Sequence, residues 1–130
     1  MKEPAVLTTP QIMRVILYVR DVSKVAAFYQ RFFNLRPLPA ATKGWVELAS
    51  PAGGCTIALH QAAVSQKSGA AMKVVFGVAD VREFKRVKEK EGLKCGVVHQ
   101  VREGDGFEFF NAKDPAGNSI SVSSRGIAKS

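Results

Sequence analysis

The sequence predicts an α+β fold built from two similar modules in tandem, each running strand, helix and then several antiparallel strands. Three observations carry that prediction. Met13-Arg-Val-Ile-Leu-Tyr-Val-Arg-Asp-Val22 overlays Met72-Lys-Val-Val-Phe-Gly-Val-Ala-Asp-Val81, with identity at Met, Val, Val, Asp and Val and conservative exchanges of Arg for Lys, Ile for Val and Leu for Phe. Each copy leads into apolar residues at helical spacing, and each helical stretch leads into short β-branched and aromatic segments divided by Gly, Pro, Asn and Asp. The offset, 59 residues from Arg14 to Lys73, fits two copies into 130 residues, too few for a solenoid.

The elements follow in order. Residues 1–11, with Pro4 and Pro10, read as an extended N-terminal extension. A strand precedes Asp21, whose carboxylate can accept from the unpaired N–H groups of a following helical turn. Val22, Val25, Phe28, Tyr29, Phe32 and Phe33 form one helical stripe, and Asn34 is suited to a left-handed stop. Strands over Gly44–Ser50 and Cys55–Gln61 flank the hairpin signal Pro51-Ala-Gly-Gly54. Ala62–Ala71, small and polar, reads as the linker. In the second copy Asp80 is the cap, Val81, Phe84 and Val87 the stripe, Glu83 the partner in a capping box, and Gly92 the stop. Strands over Gly96–Arg102 and Gly106–Asn111 follow, and Ser119–Ser123 comes after the turn Asp114-Pro-Ala-Gly-Asn118. One domain over 12–124 results, with modules at 12–62 and 72–124 and a loose tail at 125–130.

A hydrophobic share of 46% with 23% charged residues is an average globular mixture, enough to build a core without disulfide or metal staples. Cys55 and Cys95 stand alone, outside any CxxC or Cys/His cluster, and read as reduced packing residues. No apolar run approaches the ~20 residues of a membrane span and the start lacks a secretory signal, so the expectation is a cytoplasmic protein with no membrane partner. The balance of 19 basic against 11 acidic residues, +8, attracts anions. A nucleic-acid partner is not expected, because the basic residues lack RNP-like aromatic interleaving or a helix-turn-helix pattern. The Lys and Arg of 82–94 alternate with Glu83, Glu89 and Glu91, the pattern of a solvated helix face.

Val19-Arg-Asp21, Phe28-Tyr29, Asn34-Leu35 in place of the usual Leu-Gly, and Asp114-Pro-Ala-Gly-Asn118 together resemble the vicinal oxygen chelate superfamily of glyoxalase I, bleomycin resistance proteins and extradiol dioxygenases. The resemblance covers about 12–124. It implies two βαβββ modules forming a curled mixed sheet around a ligand trough, where the family's enzymes hold a divalent metal on four side chains, usually His and Glu. Carried over residue by residue, those positions fall on Arg14, Ala58, Lys73 and Ser121, with His60 two residues beyond Ala58 on the same face. Arginine has no lone pair to donate, and lysine must first lose its proton. The resemblance therefore implies a member without the family's metal, and no other cofactor is expected.

Alternation sends Arg14, Ile16 and Tyr18 to one face and Val15, Leu17 and Val19 to the other. It likewise groups Lys73 with Val75 and Gly77, Ala58 with His60, and Ser119 with Ser121 and Ser123. Candidate ligand-binding residues are Arg14, Tyr18, Trp45, Glu47, His60, Lys73, Glu108 and Ser121. Two readings stay open for the cations: they hold a carboxylate or phosphate, or they pair with Glu47 and Glu108 on neighbouring strands. Trp45 and Tyr18 either stack on a planar ligand or pack. His60 is either a general base or a hydrogen-bonded structural residue, and His99 lies exposed on an edge strand. No catalytic residue is assigned. The expected function is binding of a small anionic or aromatic molecule. The alternative is a metal-dependent lyase, isomerase or dioxygenase with displaced ligands His60, Glu47 and Glu108. The resemblance also implies a homodimer, with Phe32-Phe33 and Trp45 as candidate contacts.

Overall fold

A computed structural model describes residues 12–39, 42–62, 72–104 and 106–127. The extension over 1–11, nearly all of the linker and the end of the tail lie outside the described residues. The first module comprises β1 (Arg14–Val19), α1 (Val22–Phe33), β2 (Arg36–Pro37), β3 (Trp45–Ala49) and β4 (Thr56–Gln61). The second comprises β5 (Lys73–Gly77), α2 (Val81–Lys90), β6 (His99–Val101), β7 (Phe107–Lys113) and β8 (Ser119–Ser123). The α+β class and the tandem βαβββ order both hold.

The expected curled sheet is two four-stranded mixed sheets, ordered β1-β4-β3-β2 and β5-β8-β7-β6. In each, the first strand pairs parallel with the last and the remaining pairs are antiparallel. No strand pairing joins the two sheets among the described residues, so the sheet is not closed. β2 is the first of the three strands that the βαβββ order places after α1, and the sequence pattern assigns no residues to it. It contributes two residues, Arg36 and Pro37, opposite Ala49 and Leu48, and proline, which lacks an N–H, is tolerated there because the strand is an edge.

Both helices start as their caps dictate: Asp21 Oδ1 accepts from the Lys24 N–H at 3.1 Å and Asp80 Oδ1 from the Glu83 N–H at 3.0 Å. The capping box forms by only half, because the Glu83 carboxylate turns to Arg86 on its own helix. Asn34 ends α1 in the left-handed region at φ 55°, a conformation asparagine tolerates. Gly92 adopts φ 103° just after α2. The basic face of α2 is solvated and laced with short-range pairs such as Lys88–Glu91.

Helices cover one face of each sheet. Leu17, Val19, Leu48, Ile57 and Leu59 of the first sheet bury against Val22, Val25, Ala26 and Tyr29 of α1. This cluster also takes in Ala112 and Ile120 of the second module, so α1 serves both. Phe33 stacks on Phe76 with ring centroids 4.0 Å apart, and Phe84 lies 5.9 Å beyond. Phe32 is buried as well. Of these two candidate dimer contacts, Phe33 thus packs between the modules, and the Phe32 ring lies 5.1 Å from Phe28 on its own helix. Cys95 packs with the second core cluster, while Cys55 is exposed in the β3–β4 turn; the packing role expected of both holds for Cys95 alone.

Two polar contacts lock the modules together. The Tyr29 hydroxyl donates to Asp114 Oδ2 at 2.7 Å, fully buried. The same carboxylate accepts from the Ala116 and Asn118 N–H groups and from Asn118 Nδ2, so the Asp-Pro-Ala-Gly-Asn turn is organised around the group that anchors α1. Burial, reinforced by the Asp114 charge, holds the Tyr29 hydroxyl well above its ordinary pKa of 10.0, keeping it a donor. Arg31 Nη2 donates to the Glu91 carbonyl oxygen at 2.6 Å, satisfying a carbonyl at the end of α2. Tyr29→Phe should lower stability by about 1.5–3 kcal/mol, the usual worth of a hydrogen bond to a charged group. Denaturant unfolding checks this, and one transition with an unchanged slope is expected.

Candidate functional site

The sheet faces turned away from the helices are open, and they carry most of the candidate residues. On the first sheet, register places Arg14 beside Thr56, Ile16 beside Ala58 and Tyr18 beside His60, with Glu47 opposite Ala58 and Trp45 opposite His60. One end is a charged cluster. Glu47 Oε2 accepts from Arg14 Nε at 3.1 Å and from the Thr56 hydroxyl at 2.6 Å. These hydrogen bonds, that of Thr56 first, hold the Glu47 carboxyl below its ordinary pKa. Arg14 is thus engaged by Glu47, one of the two roles the sequence left open for it.

The other end of this face is aromatic. The His60 ring lies 5.3 Å from Tyr18 and meets Trp45 edge-on at 5.8 Å. His60 Nδ1 stands 3.0 Å from the Gln61 carbonyl oxygen, and since a carbonyl oxygen only accepts, Nδ1 is the donor in this contact. Trp45 and His60, with Thr42, Lys43, Gly44 and Gln61, line a shallow hollow of about 500 Å³.

The second sheet is laid out differently. Its open face has three rows across β5, β8 and β7: Lys73, Ser119 and Lys113; then Val75, Ser121 and Asn111; then Gly77, Ser123 and Phe109. Ser121 and Ser123 are buried, forming a recessed floor between taller neighbours. Ser121 Oγ donates to the Phe110 carbonyl oxygen. Lys73 Nζ donates to Asn111 Oδ1 at 3.2 Å and Lys113 Nζ to Ser119 Oγ at 3.3 Å. Phe109 stacks on His99 with centroids 4.9 Å apart and lies 6.1 Å from Phe107, over which the Arg125 guanidinium sits at 5.3 Å.

Glu108 is elsewhere. Phe110 and Ala112 on alternate positions of β7 are buried against α2 and the core, which puts Glu108 on the helix side, where it pairs with Arg82 at 2.8 Å. The alternative that paired Lys73 with Glu108 is corrected accordingly, and Glu108 leaves the set of residues on an open face. The structure brings Arg14, Tyr18, Trp45, Glu47 and His60 together on one face and Lys73 with Ser121 on another. Among the described residues no hydrogen bond or ion pair links the two faces.

The sequence reading missed Lys113, Asn111, Phe109 and Arg125. A signal for the first three was present: a turn over Asp114–Asn118 sets Lys113 opposite Ser119, so the odd-numbered residues of β7 share the serines' face. His99 is exposed on an edge strand as expected, and its stacking on Phe109 is new.

The positions that the resemblance gives to metal ligands carry a guanidinium, a methyl group, an ammonium and a buried hydroxyl already donating to a backbone carbonyl. That donor set does not fit a divalent cation. Nor, among the described residues, do three or more His, Cys, Asp or Glu side chains gather as a metal-binding group.

Comparison with known proteins agrees with the fold. Residues 11–122 match the family model for the glyoxalase/bleomycin resistance protein/dioxygenase superfamily. A lactoylglutathione lyase from Agrobacterium tumefaciens superposes with TM-score 0.67 at 23% identity, over 89% of this chain and 94% of that one. A glyoxalase/bleomycin resistance protein/dioxygenase family enzyme from Burkholderia phytofirmans gives 0.72 at 17% identity, over 88% and 98%. A virulence protein from Salmonella typhimurium gives 0.67 at 19%, over 90% and 98%. No curated protein matches in sequence. No helix among the described residues is long and apolar enough to cross a membrane.

The Glu47 cluster makes a titration prediction. A carboxyl depressed by its partners lends stability above its ordinary pKa and loses it as pH falls through the depressed value. Thr56→Val removes the leading cause, so carboxyl-carbon NMR should show Glu47 titrating higher in the variant than in the wild type. An unchanged titration would refute the assignment of the Thr56 hydrogen bond as that cause.

Proposed function

The chain belongs to the glyoxalase/bleomycin resistance protein/dioxygenase superfamily, and we propose that it binds a small anionic molecule bearing an aromatic or apolar part on its open sheet faces, without a metal ion. The observation that carries this reading is the charge layout of the second sheet. Lys73 and Lys113 flank Ser119 at one end of the open face, Arg125 lies over Phe107 at the other, and no carboxylate stands on the strand positions of that face. Their neighbours Asn111 and Ser119 are neutral. Ammonium groups with no carboxylate partner among the described residues, beside hydroxyls and an amide, suit a carboxylate or phosphate, held by charge-assisted hydrogen bonds. The stacked Phe109 and His99 suit a ring or apolar chain. On the first sheet Glu47 offsets Arg14, and Tyr18, His60 and Trp45 supply further aromatic surface.

Thermal shift with a panel of aromatic carboxylates and phosphate monoesters tests this. Some members should raise Tm, and the paired substitution Lys73→Ala with Lys113→Ala should weaken their binding by about tenfold or more. A panel with no stabilising member would sink the proposal. So would a stoichiometric divalent ion in the purified protein that His60→Ala abolishes.

The same reading takes the protein as a cytoplasmic homodimer in which open faces of two copies complete a trough. In its favour, Ile16, Tyr18 and Val75 stand 38%, 51% and 59% exposed on those faces, more apolar surface than a face left to water usually shows. Light scattering on the eluting protein should give twice the chain mass of 14.1 kDa; a monomer at tens of micromolar would exclude this assembly.

A further inference from the structure

The repeat is broken at one corner. Tyr18 and Gly77 are each the fifth residue of the first strand of their module. On the first sheet the Tyr18 ring fills its corner beside His60. On the second, Gly77 leaves that space open and a residue from beyond β8 occupies it: a Cβ placed on Gly77 would stand 2.7 Å from Ile127 Cδ1 and 3.2 Å from Cγ1. Gly77 is not among the residues of positive φ, so the space, and not the backbone, calls for glycine here.

The turn that delivers Ile127 is held by several contacts. The Ser124 N–H donates to the Glu108 carbonyl oxygen, the Arg125 N–H to Ser123 Oγ and the Ile127 N–H to the Ser124 carbonyl oxygen. Gly126 takes φ 79° to make the bend, and Arg125 rests on Phe107. The loose tail expected over 125–130 is, as far as Ile127, an ordered turn folded onto the open face.

Ile127 therefore stands at the aromatic end of the face and the two lysines at the other. Four residue steps separate Lys73 from Gly77, about 13 Å along the strand. We propose that Ile127 is an end stop that sets the length of the ligand. The anionic head lies at Lys73, Ser119 and Lys113, the apolar part runs over the serine floor beside Phe109, and its far end abuts the isoleucine. The ligand class is an elongated monoanion with a terminal ring or chain. This rests on the reading of the face as an anion site, and deepens it.

The test is a series of ω-phenyl carboxylates, phenylacetate, 4-phenylbutyrate and 6-phenylhexanoate, titrated into the full chain by calorimetry. Ile127→Ala should raise the affinity for 6-phenylhexanoate relative to phenylacetate by about tenfold, as pocket discrimination by a few carbons does. Ile127→Phe should lower that ratio, and Lys73→Ala should weaken all three acids alike. Ile127 is partly exposed, so both substitutions should fold, which circular dichroism verifies. Binding with the same length profile in wild type, Ile127→Ala and Ile127→Phe overturns the end stop and leaves the anion site standing. No binding by any acid to any form overturns both.

Discussion

The buried hydrogen bond from Tyr29 to Asp114 is the constraint on which the arrangement of this molecule depends. It joins the first helix to the turn before the last strand, residues 85 apart in sequence, at the point where both modules contribute to one core. A buried carboxylate is costly unless each oxygen is satisfied, and here one oxygen is filled by the turn's own N–H groups while the other is shared by Asn118 and Tyr29. The carboxylate therefore shapes the turn and positions the helix at once. Because the turn also sets Lys113 opposite Ser119, the geometry of the cationic end of the open face follows from the same group. Two of the four segments that carry the family resemblance, Phe28-Tyr29 and Asp114–Asn118, thus meet in one interlocking contact.

What was legible in the sequence was what local periodicity encodes. The alternation of Arg14 to Val19, the caps Asp21 and Asp80 and the left-handed Asn34 each depend on neighbours within a few positions, and each stands where the pattern put it. The sites that escaped depend on distant partners. Glu108 sits between phenylalanines on both sides, so its own segment does not say which face is buried; α2 decides that by supplying Arg82. Phe33 reads in the sequence as part of one apolar stripe and as a candidate dimer contact, and only the fold shows that Phe76 and Phe84 of the other module meet it. Ile127 is invisible to any pattern, because its place is a hole left by Gly77 fifty residues earlier.

The two open faces have diverged although the modules repeat. Arg14 and Lys73 are equivalent by the repeat, yet among the described residues the first is offset by a carboxylate and the second donates to an amide. Equivalent strands thus present a nearly neutral, aromatic surface in one module and a cationic one with a serine floor in the other. One scaffold carries two chemically distinct open faces, each able to change without disturbing the helix-covered core behind it.

The strand order has a consequence for how the chain reaches this state. In both sheets the last strand of the module lies inside, between the first strand and the third. Until β8 emerges and inserts, β5 has no partner for its backbone groups and β7 has only β6. During synthesis the second module must therefore wait, its edges bare, for some fifty residues after β5 begins. Bare strands are templates for pairing with other chains. Lys73 and Lys113 put charge at the strand ends of that waiting sheet, a feature that disfavours edge-to-edge pairing.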